Sequence, residues 1–461
     1  MEKPDSGIDK TIVSPESRGD ATVVSSGTGE ATVVGLPASG DATQVAPFLS
    51  TVDLSLLEPE LTLNLSLHNP YALAGARSEN YLLFELSGVF KGRKLARPPV
   101  HLSVVLDKSG SMEGRPLEQV KEACRLLIDK MSPADTLSVV TFAENVDITL
   151  AQSAVTKKEQ LKAQLDLIRA RGTTNLYGGM IAGANQLATV HGPTHLSRII
   201  LLTDGEANEG VTDYADIIAK ARQIKRDGYS VSTTGVGIEY NEELMRGIAR
   251  NTLGNYYYIE NVSDIPRVFE EELATLFEVV AKRLELKLRL PKGVNLGKFY
   301  GREVSSDNGQ VGLELPDVVA GRAQQNLLKL AFDAHLEARF RVVQAELSFE
   351  YLGQTSRMEL PAEAIVEFTR DKDRILGAIN QKVDEVMRVK DVVAEITRAK
   401  QLLAKDAGTA TMIIDRAKTV LMQAGREGDA TLVAEAMDKL GRGEIEAADK
   451  TLGATEWELE E

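Results

Sequence analysis

The sequence is poor in cysteine and in long apolar runs, and each scarcity excludes a class of protein. Cys124 is the single cysteine among 461 residues, so no intrachain disulfide can form, and a reducing compartment is favoured. No apolar stretch approaches the roughly 18 residues of a membrane-spanning helix. The N-terminus, which begins Met1-Glu2-Lys3-Pro4-Asp5, lacks the apolar core of a signal peptide, so export by that route is not expected. We therefore expect a cytoplasmic protein without a membrane span.

Basic residues are outnumbered, because 53 Lys and Arg stand against 68 Asp and Glu and give a net charge of −15. A nucleic-acid-binding protein needs a basic surface that neutralises phosphates. A protein held on anionic lipid needs a basic surface as well. The composition therefore argues against both kinds of partner. At roughly 100–200 residues per domain, the length predicts two to four domains.

Residues 1–50 differ in composition from the rest of the chain. They are rich in Gly, Ser, Thr, Pro and Asp, and they contain few large apolar side chains. Such a segment buries too little surface to offset the entropy of ordering it, so we predict that it is disordered. It nevertheless repeats the pattern acid-x-Thr-x-Val four times. The threonines of the pattern are spaced 11, 10 and 11 residues apart: Thr11, Thr22, Thr32 and Thr43.

The remaining chain changes its hydrophobic period three times, and each change predicts a domain boundary. Residues 51–98 and 281–370 alternate apolar and polar side chains, which is typical of strands in a β-sandwich. Between them, residues 99–280 alternate short apolar strands with amphipathic helices, which indicates βαβ units. Residues 371–461 have a helical period and predict a helical bundle.

The economical interpretation is an α/β domain with a doubly wound, mostly parallel sheet, inserted into a β-sandwich and followed by a C-terminal helical segment. In this interpretation, residues 51–98 complete the sandwich from the other side of the insertion. The strands predicted in the α/β region are Val100–Leu106, Thr136–Phe142, Arg198–Thr203, Ser230–Val236 and Tyr256–Ile259. The helices predicted there are Pro116–Met131, Lys157–Ile168, Leu176–Val190, Tyr214–Asp227 and Ile265–Val280.

Oxygen-bearing side chains cluster where these strands end. Asp107, Ser109 and Ser111 form a DxSxS sequence after the first strand, Thr174 precedes a helix, and Asp204 closes a later strand. In a doubly wound sheet, loops at the carboxyl ends of the strands meet at one edge, so these five side chains can converge. Ligands that are all oxygen suit a hard divalent cation such as Mg²⁺, Mn²⁺ or Ca²⁺ rather than zinc.

This pattern resembles a von Willebrand factor A (vWA) domain with an intact metal-ion-dependent adhesion site (MIDAS). All five family positions occur in the family's order and on its elements. The resemblance implies that Ser109, Ser111 and Thr174 contact the metal directly, and that Asp107 and Asp204 act largely through water. It also implies that an acidic side chain of a partner protein completes the coordination. The flanking strands resemble the β-sandwich of VIT-like and YfbK-like proteins.

Two other interpretations of the motif stay open on the residues alone. The DxSxS sequence is compatible with a turn whose Asp and Ser satisfy backbone groups at a helix start. A catalytic metal site would need a general base, but we expect His101, His191 and His195 to be loop or surface histidines. We further expect Lys108 to point to solvent and Cys124 to pack in the core.

The threonine repeats resemble phosphothreonine peptides that forkhead-associated (FHA) domains read after a bacterial-type Ser/Thr kinase has modified them. Each phosphate adds about −1.5 to −2 charges and three strong acceptors. Four copies in one tail would permit avidity. The alternatives are low-complexity drift and short strands that add to a sheet edge.

For the whole chain, these features predict a metal-dependent protein–protein interaction scaffold and not an enzyme. Its MIDAS would bind an acidic residue of a partner, and its phosphorylated tail would recruit an FHA-domain protein. One alternative is an adaptor for a MoxR-type AAA+ ATPase, whose partners often carry vWA domains. Another is a metal-dependent hydrolase, which would need a general base beside the metal ligands.

Overall fold

The computed structural model describes residues 20–26, 31–34, 58–91, 98–190, 192, 195–301, 304, 309–354 and 356–460. These residues form a β-sandwich, an α/β domain inserted into it and a C-terminal helical unit. The predicted fold class is thus confirmed. In this part of the chain, no helix combines the length and the hydropathy of a membrane-spanning segment.

Five strands precede the insertion. They are β1 (Asp20–Ser26), β2 (Ala31–Val34), β3 (Glu58–Leu67), β4 (Tyr71–Leu73) and β5 (Ser78–Lys91). β3 pairs antiparallel with β5, and its alternate leucines Leu61, Leu63 and Leu65 are all buried. Because alternate residues of a strand face opposite sides of its sheet, one face of β3 enters the sandwich core.

β1 and β2 lie within the segment predicted to be disordered, so that prediction is wrong for these two stretches. β1 pairs antiparallel with β3 from Asp20, opposite Ser66, to Ser26, opposite Glu60. β2 pairs with the outer side of β1. Without β1, β3 would be an edge strand with a row of unpaired backbone groups. Both added strands contain the sequence Ala-Thr-Val-Val, whose β-branched residues favour the extended conformation.

We expect that replacing Val23 with proline will expose the β3 backbone. Val23 lies in the middle of β1, opposite Leu63, and proline both lacks the amide hydrogen and disfavours the interior of a sheet. The amides of Glu58–Leu67 that face β1 should then exchange with solvent about tenfold faster or more, as measured by hydrogen–deuterium exchange. Ile12→Pro, at the equivalent position of the first repeat, is the control. Equal exchange in both variants would contradict the pairing of β1 with β3.

The α/β domain follows. Its strands are β6 (Val100–Asp107), β7 (Thr136–Phe142), β8 (Val146–Ala154), β9 (Leu196–Thr203), β10 (Ser230–Val236) and β11 (Tyr256–Ile259). Its helices are α1 (Arg115–Lys130), α2 (Lys158–Leu165), α3 (Leu176–Ala188), α4 (Tyr214–Arg226), α5 (Glu242–Thr252) and α6 (Ile265–Phe277). The strand order is β11-β10-β9-β6-β7-β8, and every neighbouring pair is parallel except β7 and β8. β6 lies inside the sheet and is buried along its whole length.

The five strands and five helices predicted for this region are present, but two elements were not predicted. β8 is an edge strand whose side chains are mostly exposed, so its sequence lacks an apolar run. α5 contains Gly247, a residue that normally weakens a helix. A Cβ at Gly247 would lie 2.6 Å from Tyr214 Oη, so glycine is needed for close packing against α4. Cys124 is buried in the core under α1, as predicted.

The chain then returns to the sandwich. The returning strands are β12 (Val279–Arg289), β13 (Val294–Phe299), β14 (Gln310–Leu315), β15 (Val318–Val319), β16 (Ala323–Phe332), β17 (Ala338–Tyr351) and β18 (Arg357–Thr369). One sheet has the order β13-β16-β5-β3-β1-β2; the facing sheet has the order β14-β12-β17-β18-β4, with β15 beside β12. The pairs β5–β16 and β4–β18 join strands from the two sides of the insertion. The first strands therefore complete the sandwich across the inserted domain.

The C-terminal helices are α7 (Lys372–Leu376), α8 (Gln381–Leu402), α9 (Ala407–Gln423), α10 (Glu427–Gly441) and α11 (Ile445–Glu460). α8 packs on the sandwich through Val383 and Val386, which contact Leu83 and Leu327. α11 instead places Trp457 in the core of the α/β domain, edge-on to the ring of Tyr256 at a centroid distance of 5.8 Å. The helical unit therefore contacts both other units.

Candidate metal centre

Asp107 ends β6 and is buried behind the loop that follows it. Its Oδ1 accepts a hydrogen bond from the backbone N–H of Ser109 at 2.7 Å, and its Oδ2 accepts one from Thr203 Oγ1 at 2.5 Å. β6 pairs in parallel with β9, which brings the ends of these two strands side by side. The parallel register therefore positions the Asp107 carboxylate against the end of β9.

Ser109, Ser111 and Asp204 continue outward from this buried carboxylate. The hydroxyl oxygens of Ser109 and Ser111 are 3.0 Å apart, and Ser111 Oγ donates to Asp204 Oδ1 at 2.7 Å. Ser109 is buried, whereas Ser111 is exposed. The four residues therefore form a hydrogen-bonded series that runs from the domain interior to its surface.

Thr174 approaches the same place from the loop before α3. Its backbone N–H donates to Asn208 Oδ1 at 2.8 Å, and its carbonyl accepts from the Asn208 N–H at 3.2 Å. A Cβ at Gly205 would lie 3.7 Å from Thr174 Oγ1, so this hydroxyl faces the turn that contains Asp204. The structure therefore brings all five predicted residues to one edge of the sheet.

The two carboxylates are held in surroundings that disfavour their negative charge. Burial raises the pKa of Asp107 to about 6, although the hydrogen bonds from Thr203 and Ser109 oppose the shift. Burial also raises the pKa of Asp204, and the charge of Glu239 adds to that effect. Among the described residues, neither carboxylate forms an ion pair with a basic side chain. A divalent cation beside them would supply the missing positive charge.

The donor set fits a hard cation held mainly by neutral oxygens. It consists of three hydroxyls and two carboxylates. A site for a softer metal such as zinc would instead contain His or Cys ligands. Indeed, no group of three or more His, Cys, Asp or Glu side chains among the described residues could hold a metal ion. The chemistry of the five residues is therefore compatible with the predicted cation, Mg²⁺, Mn²⁺ or Ca²⁺.

Lys108 does not point to solvent as expected. Its side chain is 8% exposed, and its ammonium donates to Asp147 Oδ2 on β8 at 2.5 Å. Asp147 lies on β8, which has no apolar run and was not predicted, so the DxSxS motif alone did not indicate this contact. Lys108 therefore pairs its charge with Asp147 and connects the DxSxS loop to the edge strand β8.

Three residues that position the candidate site were not predicted from the sequence. Thr203 holds Asp107, Asn208 holds Thr174, and Asn175 caps α3 by accepting from the Gly178 N–H at 2.9 Å. Thr203 and Asn175 are each adjacent to a predicted ligand in sequence, which is the one feature that could have singled them out. Asn208 has no such feature, because its role depends on how two loops pack.

Two of the four repeat threonines lie among the residues that the structure describes, and two lie outside them. Thr22 lies in β1 opposite Asn64, and Thr32 lies in β2 opposite Val24. Thr11 and Thr43 lie outside the described residues. Two of the four candidate phosphorylation positions are therefore in paired strands rather than in a disordered segment.

Comparison with known proteins identifies the inserted domain. Residues 101–271 match the von Willebrand factor type A domain family, so the chain contains a vWA domain. The uncharacterized protein sll0103 of Synechocystis sp. is 26% identical over 337 residues, which cover 70% of this chain and 79% of that protein. The uncharacterized protein YfbK of Escherichia coli is 30% identical over 222 residues, 47% of this chain and 39% of YfbK. The chain thus spans less than half of YfbK.

A solved structure supports the arrangement of the whole fold. The von Willebrand factor type A protein from Catenulispora acidiphila superposes with a TM-score of 0.68 and 19% sequence identity. The match covers 84% of this chain and 91% of that one, so it extends well beyond the vWA domain. At this identity the likeness concerns the fold alone.

Proposed function

We propose that the vWA domain is a metal-dependent protein-interaction module whose MIDAS binds one acidic side chain of a partner. The observation that supports this proposal is the convergence of Asp107, Ser109, Ser111, Thr174 and Asp204 at one edge of the sheet. In this proposal the three hydroxyls contact Mg²⁺, or Mn²⁺ or Ca²⁺, and the two carboxylates act largely through water. The bound cation would carry a positive charge and would have one coordination position left for the partner's carboxylate.

The surroundings of the site explain why a partner's carboxylate would be the preferred ligand. The three hydroxyls that would contact the divalent cation directly are neutral, and in this proposal the two carboxylates of the site act on it only through water. Ser111 is exposed, so a ligand can approach from solvent. An acidic side chain of a partner supplies both a charge and an oxygen ligand. The interface would then depend on the metal.

A binding role is better supported than hydrolysis. His101 is the second residue of β6, at the opposite end from Asp107, and it is buried rather than in the loop or surface position expected. His195 packs on His101 at a ring distance of 4.5 Å, so it too is remote from the site. His191 lies outside the described residues. Neither His101 nor His195 is placed as a general base for the site, and general base catalysis requires hydrogen-bond reach.

The experiment that tests the metal-dependent interaction is affinity capture with the full chain. We expect a partner to be retained in Mg²⁺, released by EDTA and retained again when Mg²⁺ is restored. Asp107→Asn should not retain the partner. Asp227→Asn should behave as wild type, because the Asp227 carboxylate is exposed and lies at the end of the sheet opposite the candidate metal centre. Partners that bind equally well in EDTA and to Asp107→Asn would contradict the proposal.

We also propose that the N-terminal repeats are phosphorylated by a Ser/Thr kinase and read by an FHA domain. The support is the shared pattern of acid, Thr and Val in four copies. The strands β1 and β2 refine this proposal, because a kinase needs an accessible threonine and the strands must unpair before Thr22 or Thr32 can be modified. Thr11 and Thr43 are therefore the first candidates for modification.

We expect that replacing the four repeat threonines with alanine will abolish binding of an FHA domain to the kinase-treated chain. The reason is that each phosphate supplies the charge and the acceptors that such a domain reads. Fluorescence anisotropy with a labelled FHA domain measures the loss. Thr28→Ala is the matched control, since Thr28 lies in the same tail but has Ser26 and Glu30 where the repeats have an acid and Val. Undiminished binding to the fourfold variant would refute the tail proposal and leave the metal proposal untouched.

A further inference from the structure

A cleft lies where the vWA domain, the sandwich and the helical unit meet. Its volume is about 860 Å³, and we call it the junction cleft. α4 and α5 line it from the vWA domain, the end of β13 lines it from the sandwich, and α8 lines it from the helical unit. α5 begins at the edge of the sheet that carries the candidate metal centre and runs away from it, so the cleft lies toward the opposite edge. Its basic residues are Arg222, Arg250, Lys298, Lys390 and Arg398.

The charge of the junction cleft opposes that of the chain. Five basic side chains line it against one carboxylate, that of Glu460, although the whole chain carries a net charge of −15. Like charges that share a concave surface repel one another, and low-dielectric walls strengthen the field that they produce. Such a concentration of positive charge in an acidic protein requires an explanation.

Two of the five cations have structural partners. The Lys390 ammonium donates to the carbonyl oxygens of Leu459 and Glu460 at 2.8 Å each, at the C-terminal end of α11. Arg250 pairs with the Glu460 carboxylate, and its guanidinium lies 5.7 Å from the centroid of the Trp457 ring. These contacts hold α11 in place, and they use the single carboxylate of the lining.

Of the other three cations, Lys298 interacts with the nearby Asp391 carboxylate, whereas Arg222 and Arg398 keep their charge available. Arg222 Nε donates to the neutral Asn251 Oδ1 at 2.8 Å, and the Lys298 ammonium lies 4.3 Å from the centroid of the Tyr300 ring. Arg398 is exposed on α8. Within the described ranges, neither Arg222 nor Arg398 forms an ion pair. Two guanidinium groups therefore line the cleft without a counter-charge, one from the vWA domain and one from the helical unit.

The turn after α5, which lines the junction cleft, is tightly packed. Leu253 has a positive φ of 55°, a backbone conformation that non-glycine residues adopt rarely. A Cβ at Gly254 would lie 2.1 Å from the carbonyl oxygen of Val231, so only glycine fits there. Leu253 is the C-cap residue of α5, and a left-handed residue is a usual way for a helix to end. The turn brings the wall of the cleft close against β10.

We propose that the junction cleft binds a small, multiply charged phosphate compound. Guanidinium groups match phosphate oxygens in bidentate geometry, which accounts for arginine at the two positions without a counter-charge. A volume of about 860 Å³ is in the range of small-molecule sites, and Tyr300, Val393 and Ala394 offer apolar surface to an organic part of the ligand. Because the cleft joins three units, a bound anion would link them. This inference goes beyond the proposed interaction through the metal.

Pyrophosphate is the probe that tests the inference, titrated into the full chain by isothermal calorimetry. EDTA and constant ionic strength remove contributions from the metal site and from general screening. We expect saturable binding with one site per chain, and we expect Arg222→Gln and Arg398→Gln each to weaken it about tenfold or more. Asp107→Asn should bind as wild type, which separates this site from the metal centre. Arg339→Gln, an exposed arginine on β17, is the matched control.

Arg398→Lys provides a second variant that preserves the charge but removes the planar fork. We expect it to bind more weakly than wild type and more tightly than Arg398→Gln, with an unchanged melting temperature in the absence of pyrophosphate. Absence of saturable binding to wild type would overturn the inference. Equal weakening by Arg339→Gln would also overturn it, since the effect would then reflect net charge rather than the cleft.

Discussion

Replacing Asp107 with asparagine is expected to weaken Mg²⁺ binding about 10–100-fold while the vWA domain stays folded. The change removes one of the two negative charges of the donor set and keeps the size of the side chain. Asp107 lies behind Ser109 and holds its backbone N–H, so the variant also weakens the orientation of the DxSxS loop. Groups that orient metal ligands without touching the metal typically contribute this much to affinity.

Folding of the variant follows from the burial of Asp107. Because burial already disfavours the charged form of this carboxyl group, a neutral amide avoids a desolvation cost in the metal-free protein. The amide oxygen can still accept one of the two hydrogen bonds, from Ser109 or from Thr203. Circular dichroism and the melting temperature in EDTA check this part of the expectation.

Isothermal calorimetry with Mg²⁺, Mn²⁺ and Ca²⁺ measures the affinity of wild type, Asp107→Asn and the control Asp227→Asn. Added metal should also raise the melting temperature of wild type, since a ligand at 100 times its Kd contributes about 2.7 kcal/mol to stability. The same addition should have little effect on Asp107→Asn. If the variant bound all three cations with the affinity of wild type, the proposed site would be wrong.

The predicted ligands could be read from the sequence because their signals are local. DxSxS is a spacing within five residues, and the ends of apolar strands are visible in the hydrophobic pattern. The rule that strand ends meet at one edge then joins Asp107, Thr174 and Asp204 without knowledge of the structure. Thr203 and Asn208 could not be assigned roles in this way, since their contacts depend on strand register and loop packing.

The wrong expectations for Lys108 and for the tail share a different cause, which is a tertiary partner that the sequence did not reveal. Lys108 is charged and lies in a loop, so solvent is its default surrounding, but Asp147 on the unpredicted β8 binds it. The tail is polar and rich in small residues, so disorder is its default state. The free edge of β3 nevertheless offers Asp20–Ser26 a backbone partner. In both cases the composition predicts how the segment behaves in isolation. A contact with a neighbouring strand determines its conformation in the folded protein.

The buried carboxylate of Glu272 is the site of the largest expected effect on stability. Its Oε1 accepts hydrogen bonds from Arg198 Nη1 at 3.0 Å and from Ser232 Oγ at 2.6 Å. Its Oε2 accepts from Asn255 Nδ2 at 2.7 Å and from the Tyr257 hydroxyl at 2.6 Å. One side chain of α6 therefore binds residues of β9, β10 and β11 and the turn before β11.

We expect Glu272→Ala to lower the free energy of unfolding of the vWA domain by about 3–5 kcal/mol. The reason is that Arg198, with a side chain only 5% exposed, would lose its main counter-charge and stay buried. Asp317, 3.4 Å from Arg198 Nη2, is a second partner from the loop between β14 and β15, and it compensates only in part. Urea denaturation followed by circular dichroism measures the change. Glu271→Ala is the matched control, since its pair with Arg267 is exposed and should contribute less than about 1 kcal/mol.

The double variant Arg198→Met, Glu272→Leu distinguishes the cost of an unpaired charge from the loss of the pair itself. If the harm of Glu272→Ala comes from a buried guanidinium without a partner, removing both charges should recover most of the lost stability, because apolar side chains of similar size often replace buried ion pairs without penalty. Recovery will be incomplete, since Ser232, Asn255 and Tyr257 lose an acceptor. A double variant as unstable as Glu272→Ala would show that these three hydrogen bonds, rather than the charge of Arg198, dominate.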